Sequence, residues 1–308
     1  MRAFIVYCHP SEDSFTRKMR DEFIKGIKDS GNEYEISDLY EMDFRSDITE
    51  AEYLRDAYYT ENGDVAADVL DEQRKINSSD AIVFIYPVFW TEAPAKLVGW
   101  FDRVWTYGFA YGDKTMKLLD KGLIMCSAGN PVDRLEKFGL LNSMKKVMFG
   151  DRLINRVKQT EFVVFDKTSR ENPEREANLD ENLKKAYEIG KTLFDKKEEE
   201  FSLEDRFFTV YENSESGEVS DQTIFSYHQK GNVIWAEYSG GSIVKGFLLG
   251  TMDEDHNLHF TYEHINNDGE KKSGACDSTP RYENGKLRFY ESWKWTDGEE
   301  GTSIIEEI

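Results

Sequence analysis

Ala3-Phe-Ile-Val-Tyr-Cys8, followed directly by His9-Pro-Ser-Glu-Asp-Ser-Phe15, decides the fold of the first two thirds of this 308-residue chain. A continuous β-prone apolar run without polar alternation reads as a strand covered on both faces. Apolar Phe15, Met19, Phe23, Ile24 and Ile27 then recur at helical spacing, so a helix is expected from about Ser14. The unit repeats along the chain. Further strands are predicted at 34–39, 81–86, 122–127 and 161–165, and helices at 65–76, 95–105, 134–148 and 179–194. Strands alternating with helices imply right-handed crossovers and a five-stranded parallel, doubly wound sheet.

The texture changes near residue 202. A lysine- and glutamate-rich stretch at 195–200 marks the seam, giving domains of 1–200 and 201–308. The second part offers only short strand-like runs, at 207–211, 223–228, 233–238, 243–252, 258–262, 286–295 and 303–305. Glycine turns such as Lys230-Gly-Asn232, Ser239-Gly-Gly241 and Glu283-Asn-Gly285 separate them. That spacing leaves no room for crossover helices, so antiparallel pairing in a small barrel or sandwich is expected.

Composition narrows the function. Lysine and arginine number 39 against 60 aspartates and glutamates, a net charge of −21, which argues against nucleic acid or an anionic membrane as partner. Three scattered cysteines (Cys8, Cys126, Cys276) suit neither a disulfide framework nor a zinc site. No apolar run approaches the ~20 residues of a membrane span, and the first residues read as a core strand rather than a signal peptide. A cytoplasmic protein is the expectation.

In an open parallel sheet, ligands bind beyond the carboxyl ends of the strands. Three loops should meet there. The 9–15 loop brings hydroxyls (Ser11, Ser14, Thr16) and free N–H groups to a helix N-terminus, which favours a phosphate; on the loop alone, Ser14 reads first as an ordinary N-cap. Glu12 and Asp13 would have to point away. Pro87-Val-Phe-Trp90 puts an aromatic pair at a strand end ahead of a proline-initiated helix, offering a stacking surface and backbone donors of the kind a flavin needs. Phe89 and Trp90 read alternatively as core. Cys126-Ser-Ala-Gly129 supplies small residues where backbone must approach a ligand.

Taken together, His9-Pro-x-x-x-Ser14-Phe15, Tyr86-Pro-Val-Phe-Trp90, Gly99-Trp-Phe-Asp-Arg-Val104 and Gly108-Phe-Ala-Tyr-Gly112 resemble the flavodoxin-like NAD(P)H:quinone oxidoreductase family over residues 1–195. The resemblance implies a tightly held FAD, or FMN as the alternative, with NADH or NADPH as donor. It also implies a homodimer with active sites at the interface, and ping-pong two-electron reduction of a quinone-like acceptor. By motif, His9, Ser14, Phe15 and Thr16, with Ser11 beside them, would hold the flavin phosphates. Pro87, Val88, Phe89 and Trp90 would hold the isoalloxazine. Ser127, Ala128 and Gly129 would lie at its pyrimidine edge, and Tyr111 would reach the partner's pocket. Trp90 and Tyr111 are thus the catalytic candidates. The tyrosine and histidine that some members carry after the third loop are absent from 132–149. A redox-sensing flavoprotein signalling through its β domain is the competing function, and a flavodoxin-type one-electron carrier is a third.

Ser239-Gly-Gly-Ser-Ile243, Gly274-Ala-Cys276 and Glu291-Ser-Trp-Lys-Trp-Thr-Asp-Gly298 resemble a family of small bacterial domains labelled N-acetylglutamate synthase. Acetyl-CoA transfer needs a glycine loop entering a helix, which 201–308 does not offer, so a small barrel with an interior cavity is the physical reading. Trp293 and Trp295 should share one strand face, in the barrel core. His256 and His259 should point to opposite faces, against a metal site. Asp102 and Arg103 read as a surface ion pair.

Overall fold

The computed structural model describes residues 1–60, 65–195, 201–283 and 285–308. The chain divides into two compact units, with the division falling at 196–197. Most of the predicted seam, residues 196–200, lies outside the described residues, as does Asn284 in one predicted turn.

In the first unit the strands are β1 (Arg2–Tyr7), β2 (Glu33–Asp38), β3 (Ala81–Pro87), β4 (Leu119–Ser127) and β5 (Val157–Phe165). They form one parallel sheet in the order β2-β1-β3-β4-β5. This is the flavodoxin-like order, and the chain reverses direction across the sheet between β1 and β3. β3 is buried at every position, as its unbroken apolar run requires. One face is covered by α1 (Phe15–Asp29) and α7 (Arg175–Lys191). These two helices touch backbone to backbone. A Cβ on Gly26 would stand 2.1 Å from the Tyr187 carbonyl oxygen, and one on Gly190 equally close to that of Phe23. The other face carries α3 (Ala67–Asn77) and α4 (Ala95–Val104), with Trp100 in its core.

Three expectations need correction here. The helix expected at 134–148 is two, α5 (Val132–Lys137) and α6 (Leu140–Val147), because Gly139 takes a left-handed conformation (φ 68°) that ends the first; a π-helical turn, Met148–Leu153, follows. A short helix, α2 (Glu50–Ala57), was not foreseen; a capping box between Thr49 and Glu52 starts it. Arg103 is not on the surface. Its guanidinium is fully buried, bonded to Glu52 (2.9 Å) and Asp68 (2.6 Å) rather than to Asp102.

The second unit is a closed antiparallel barrel of eight strands: β6 (Arg206–Asn213), β7 (Ile224–Lys230), β8 (Val233–Gly240), β9 (Ile243–Met252), β10 (Leu258–Asn266), β11 (Lys271–Glu283), β12 (Lys286–Trp295) and β13 (Glu300–Glu307). Barrel, not sandwich, is the outcome. Sequence reading finds seven strands and misses β11, whose Lys-Lys-Ser-Gly-Ala-Cys-Asp-Ser carries almost no β-branched or aromatic residue. Inward positions alternate with outward ones, and Phe208, Tyr227, Ile234, Leu258, Leu287, Phe289 and Ile305 fill the core. Among the described residues, no helix is long and apolar enough to cross a membrane.

Candidate functional site

The parallel sheet brings the carboxyl ends of β1, β3 and β4 to one edge, and the three loops leave from there. In the first, Ser14 caps α1, its Oγ accepting from the Arg17 N–H at 3.1 Å. The N–H groups of Phe15 and Thr16, in the first turn, have no acceptor inside the helix. No acidic residue stands in that turn; Glu12 is turned out to solvent and pairs with Arg17 at 3.3 Å. His9 Nδ1 is held by Ser11, lying 2.9 Å from its backbone nitrogen and 3.0 Å from its carbonyl oxygen. Partial burial lowers the His9 pKa and keeps the ring neutral. The arrangement is a ready anion site made of neutral donors at the positive end of a helix.

The second loop turns sharply. The Phe89 N–H bonds the Glu92 carbonyl at 2.8 Å and the Glu92 N–H returns the bond at 3.0 Å, forcing Trp90 and Thr91 into left-handed backbone (φ 54° and 66°). Such a conformation costs of order 1 kcal/mol at each non-glycine residue. Nothing in the core compensates it, since Trp90 is 100% exposed and Phe89 44%. The alternative reading of these aromatics as core therefore fails. Pro87 is buried and Val88 half-buried, the Val88 N–H bonding the Ser127 carbonyl at 2.8 Å. Sequence reading also missed the brace of this turn. Glu92 Oε1 accepts from the Ala93 N–H (2.7 Å) and from Arg152 Nη1 (3.2 Å), the latter supplied by the π-helical turn.

The third loop is tied to the first. Thr16 Oγ1 and Ser127 Oγ lie 2.8 Å apart, both buried. Ala128 is buried, its N–H on the Phe165 carbonyl (2.9 Å), while Gly129 is exposed and has room for a Cβ. Gly129 is thus not dictated by packing within the chain. Tyr111, 37% exposed, packs edge-on against Tyr107 (5.6 Å), which in turn meets Tyr59 (5.1 Å). Gly112 (φ 72°) permits that cluster, because a Cβ there would stand 2.4 Å from the Tyr107 ring. Cys8 and Cys126 are fully buried and their thiols are pushed up in pKa by burial, Cys8 to about 12, so neither is a nucleophile.

A helix N-terminus rich in neutral donors, two solvent-facing aromatics in a strained turn and a glycine free of packing duties at one sheet edge suit a planar, phosphorylated cofactor. Comparison with known proteins agrees with the class. A family model described as "Flavodoxin-like fold" matches residues 1–189, and the chain belongs to that family. An NAD(P)H:quinone oxidoreductase from Methanothermobacter marburgensis is similar in structure, with a TM-score of 0.61 at 37% identity over 65% of this chain and 99% of that one. An uncharacterized NAD(P)H oxidoreductase of Haemophilus influenzae is 31% identical over 54% of this chain and 83% of its own. NAD(P)H dehydrogenase [quinone] 1 of Rattus norvegicus is 34% identical over 39% of this chain and 48% of its own. The chain spans about half the length of the first curated relatives it matches. Residues 201–308 match a family model described as "Avidin-like protein", which replaces the N-acetylglutamate synthase label.

Proposed function

We propose that the first unit is a flavin-dependent NAD(P)H oxidoreductase that reduces a quinone-like acceptor by a ping-pong mechanism. When bound, the flavin would supply the reversible two-electron step, taking hydride from a nicotinamide and passing it on. The residues of the chain bind and orient. His9, Ser11, Ser14, Phe15 and Thr16 hold the phosphates; the acceptor-free N–H groups of α1 support this role. Pro87, Val88, Phe89 and Trp90 hold the isoalloxazine, and Ser127, Ala128 and Gly129 its pyrimidine edge. Stacking and backbone dipoles, rather than a side-chain acid, steady the developing charge, since 132–149 contains neither tyrosine nor histidine. FAD is the cofactor of this reading, on the motif of the first loop, with FMN as the alternative.

One observation carries the proposal: Trp90 stands wholly exposed in a strained turn at the carboxyl edge of the sheet, where a planar group could stack. Homodimerisation belongs to the same reading. It is supported by Tyr59, 66% exposed and joined through Tyr107 to Tyr111, the residue assigned to the partner's pocket. A cytoplasmic location completes it, checked by cell fractionation.

The test is to purify the chain, identify the released cofactor by chromatography and follow NADH and NADPH oxidation with a panel of quinones. A preparation that stays colourless after incubation with FAD and FMN overturns the proposal. A flavin-loaded protein without turnover turns it to the redox-sensing alternative, and a stable one-electron reduced form on titration to the carrier.

A further inference from the structure

The inward row of β12 reads Leu287, Phe289, Glu291, Trp293, Trp295, so a carboxylate stands where alternation demands an apolar side chain. Its register makes it a built feature. Ser278 on β11 and Ser303 on β13 are its direct cross-strand partners on either side. Both donate to it, Ser278 Oγ at 3.2 Å to Oε1 and Ser303 Oγ at 2.7 Å to Oε2. Glu291 lines a pocket of the barrel, about 50 Å³ in volume and partly open to solvent, among Phe225, Tyr238, Phe260, Tyr262, Trp293 and Trp295.

Among the described residues the charge of Glu291 has no counterion. No lysine or arginine lines the pocket among the described residues. The groups facing Glu291, the phenols of Tyr227, Tyr238 and Tyr262 and the thiol of Cys276, are all kept neutral by burial. The pocket's other acid, Glu218, is consumed by His264 Nε2 (2.8 Å) and Lys272 Nζ (2.6 Å). Two further lining atoms are buried without a partner among the described residues. Trp295 Nε1 lacks an acceptor and Asn213 Oδ1 lacks a donor. A buried, unpaired carboxylate is costly unless something cationic meets it, and aromatic walls attract cations through their ring faces.

We propose that the barrel interior binds a small organic cation, an ammonium compound bearing an oxygen, with its charged nitrogen against Glu291, its carbon frame between the aromatic walls, and its oxygen accepting from Trp295 Nε1. The inference is independent of the flavin reading and uses none of its residues.

The test is calorimetric titration of the full chain with ethanolamine, choline and tyramine, each beside its uncharged counterpart: propan-1-ol, 3,3-dimethylbutan-1-ol and 4-propylphenol. The anion 3,3-dimethylbutanoate completes the panel. At least one cation binds saturably, with quenching of tryptophan fluorescence, and roughly tenfold or more tightly than its counterpart, as the attraction of a cation to a buried carboxylate and aromatic ring faces implies. Glu291→Gln, which keeps the shape and removes the charge, abolishes that preference while melting no lower than the parent. Equal binding of cation and counterpart, tighter binding of the anion, absence of any binding, or an E291Q variant that keeps the preference overturns the proposal. Ser303→Ala serves as the second variant should E291Q fail to fold, and it lowers cation affinity in the same direction.

Discussion

The hydroxyls of Thr16 and Ser127, 111 residues apart in the chain, meet at 2.8 Å in a buried position and tie the loop after β1 to the loop after β4. Removing one hydroxyl orphans the other. Ser127→Ala or Thr16→Val each costs about 1–2 kcal/mol in urea unfolding, whereas the double variant costs little more than either single one. Retention of flavin, read as absorbance after dialysis, falls in all three, because the proposed phosphate and pyrimidine ends of the site lose their common anchor.

Trp90 separates stability from activity. Its left-handed backbone is unfavourable for any side chain with a Cβ, and its indole gains nothing from the core. Trp90→Gly raises stability by about 1 kcal/mol. The same change removes most quinone-dependent NADH oxidation. A variant that is more stable and fully active would show that the exposed indole plays no part in turnover.

Arg103 holds the segment beneath α4. Its buried guanidinium binds Glu52 and Asp68, and Arg45 adds a third bond to Glu52. Burial alone would raise the Glu52 pKa, but the bonds from Arg45, Thr49 and Arg103 outweigh it and bring the carboxyl down to about 2. A depressed carboxylate stabilises above its unfolded pKa and stops doing so as the pH falls through its folded value. Melting of the first unit therefore drops between pH 4.5 and 2. Arg103→Met costs about 1–3 kcal/mol at neutral pH, because Asp68 loses its partner while Glu52 keeps Arg45 and Thr49.

Glu291 titrates with the opposite sign. Burial raises its pKa to about 6 against the hydrogen bonds from Ser303 and Ser278, from an ordinary 4.5. The folded barrel thus favours the protonated form, and its stability is highest below pH 4.5 and declines as the pH rises through 6. The decline attributable to this group is about 2 kcal/mol. Thermal melts of the parent across that window show the slope, and melts of Glu291→Gln do not.

Much of this architecture is legible in the residues themselves. β1 and β3 announce a covered parallel sheet because buried strands need no alternation, and Ser14 and Pro94 mark helix starts. β11 hides because a strand between two well-formed neighbours can be built from Lys, Ser, Gly and Asp, its pairing secured by the barrel rather than by its own propensity. The Arg103 network hides for another reason: its acids lie 51 and 35 residues away, beyond any local pattern. The same holds for the Thr16–Ser127 pair and for Arg152 behind the Trp90 turn. The sequence reading passes over Glu291, although its parity among large apolar residues of β12 carries the signal, and Tyr111 could be placed only by motif. Local physics writes the elements, whereas the contacts that make a site are long-range.

β13 closes the barrel by pairing with β6, so that Phe208 sits across from Glu307. During synthesis the domain consequently remains an open ribbon with two raw hydrogen-bonding margins until its last stave is made, long after the parallel sheet has all its strands. Any chain that stops short of residue 300 would carry those margins permanently, and would be expected to seek its missing stave in a neighbouring molecule.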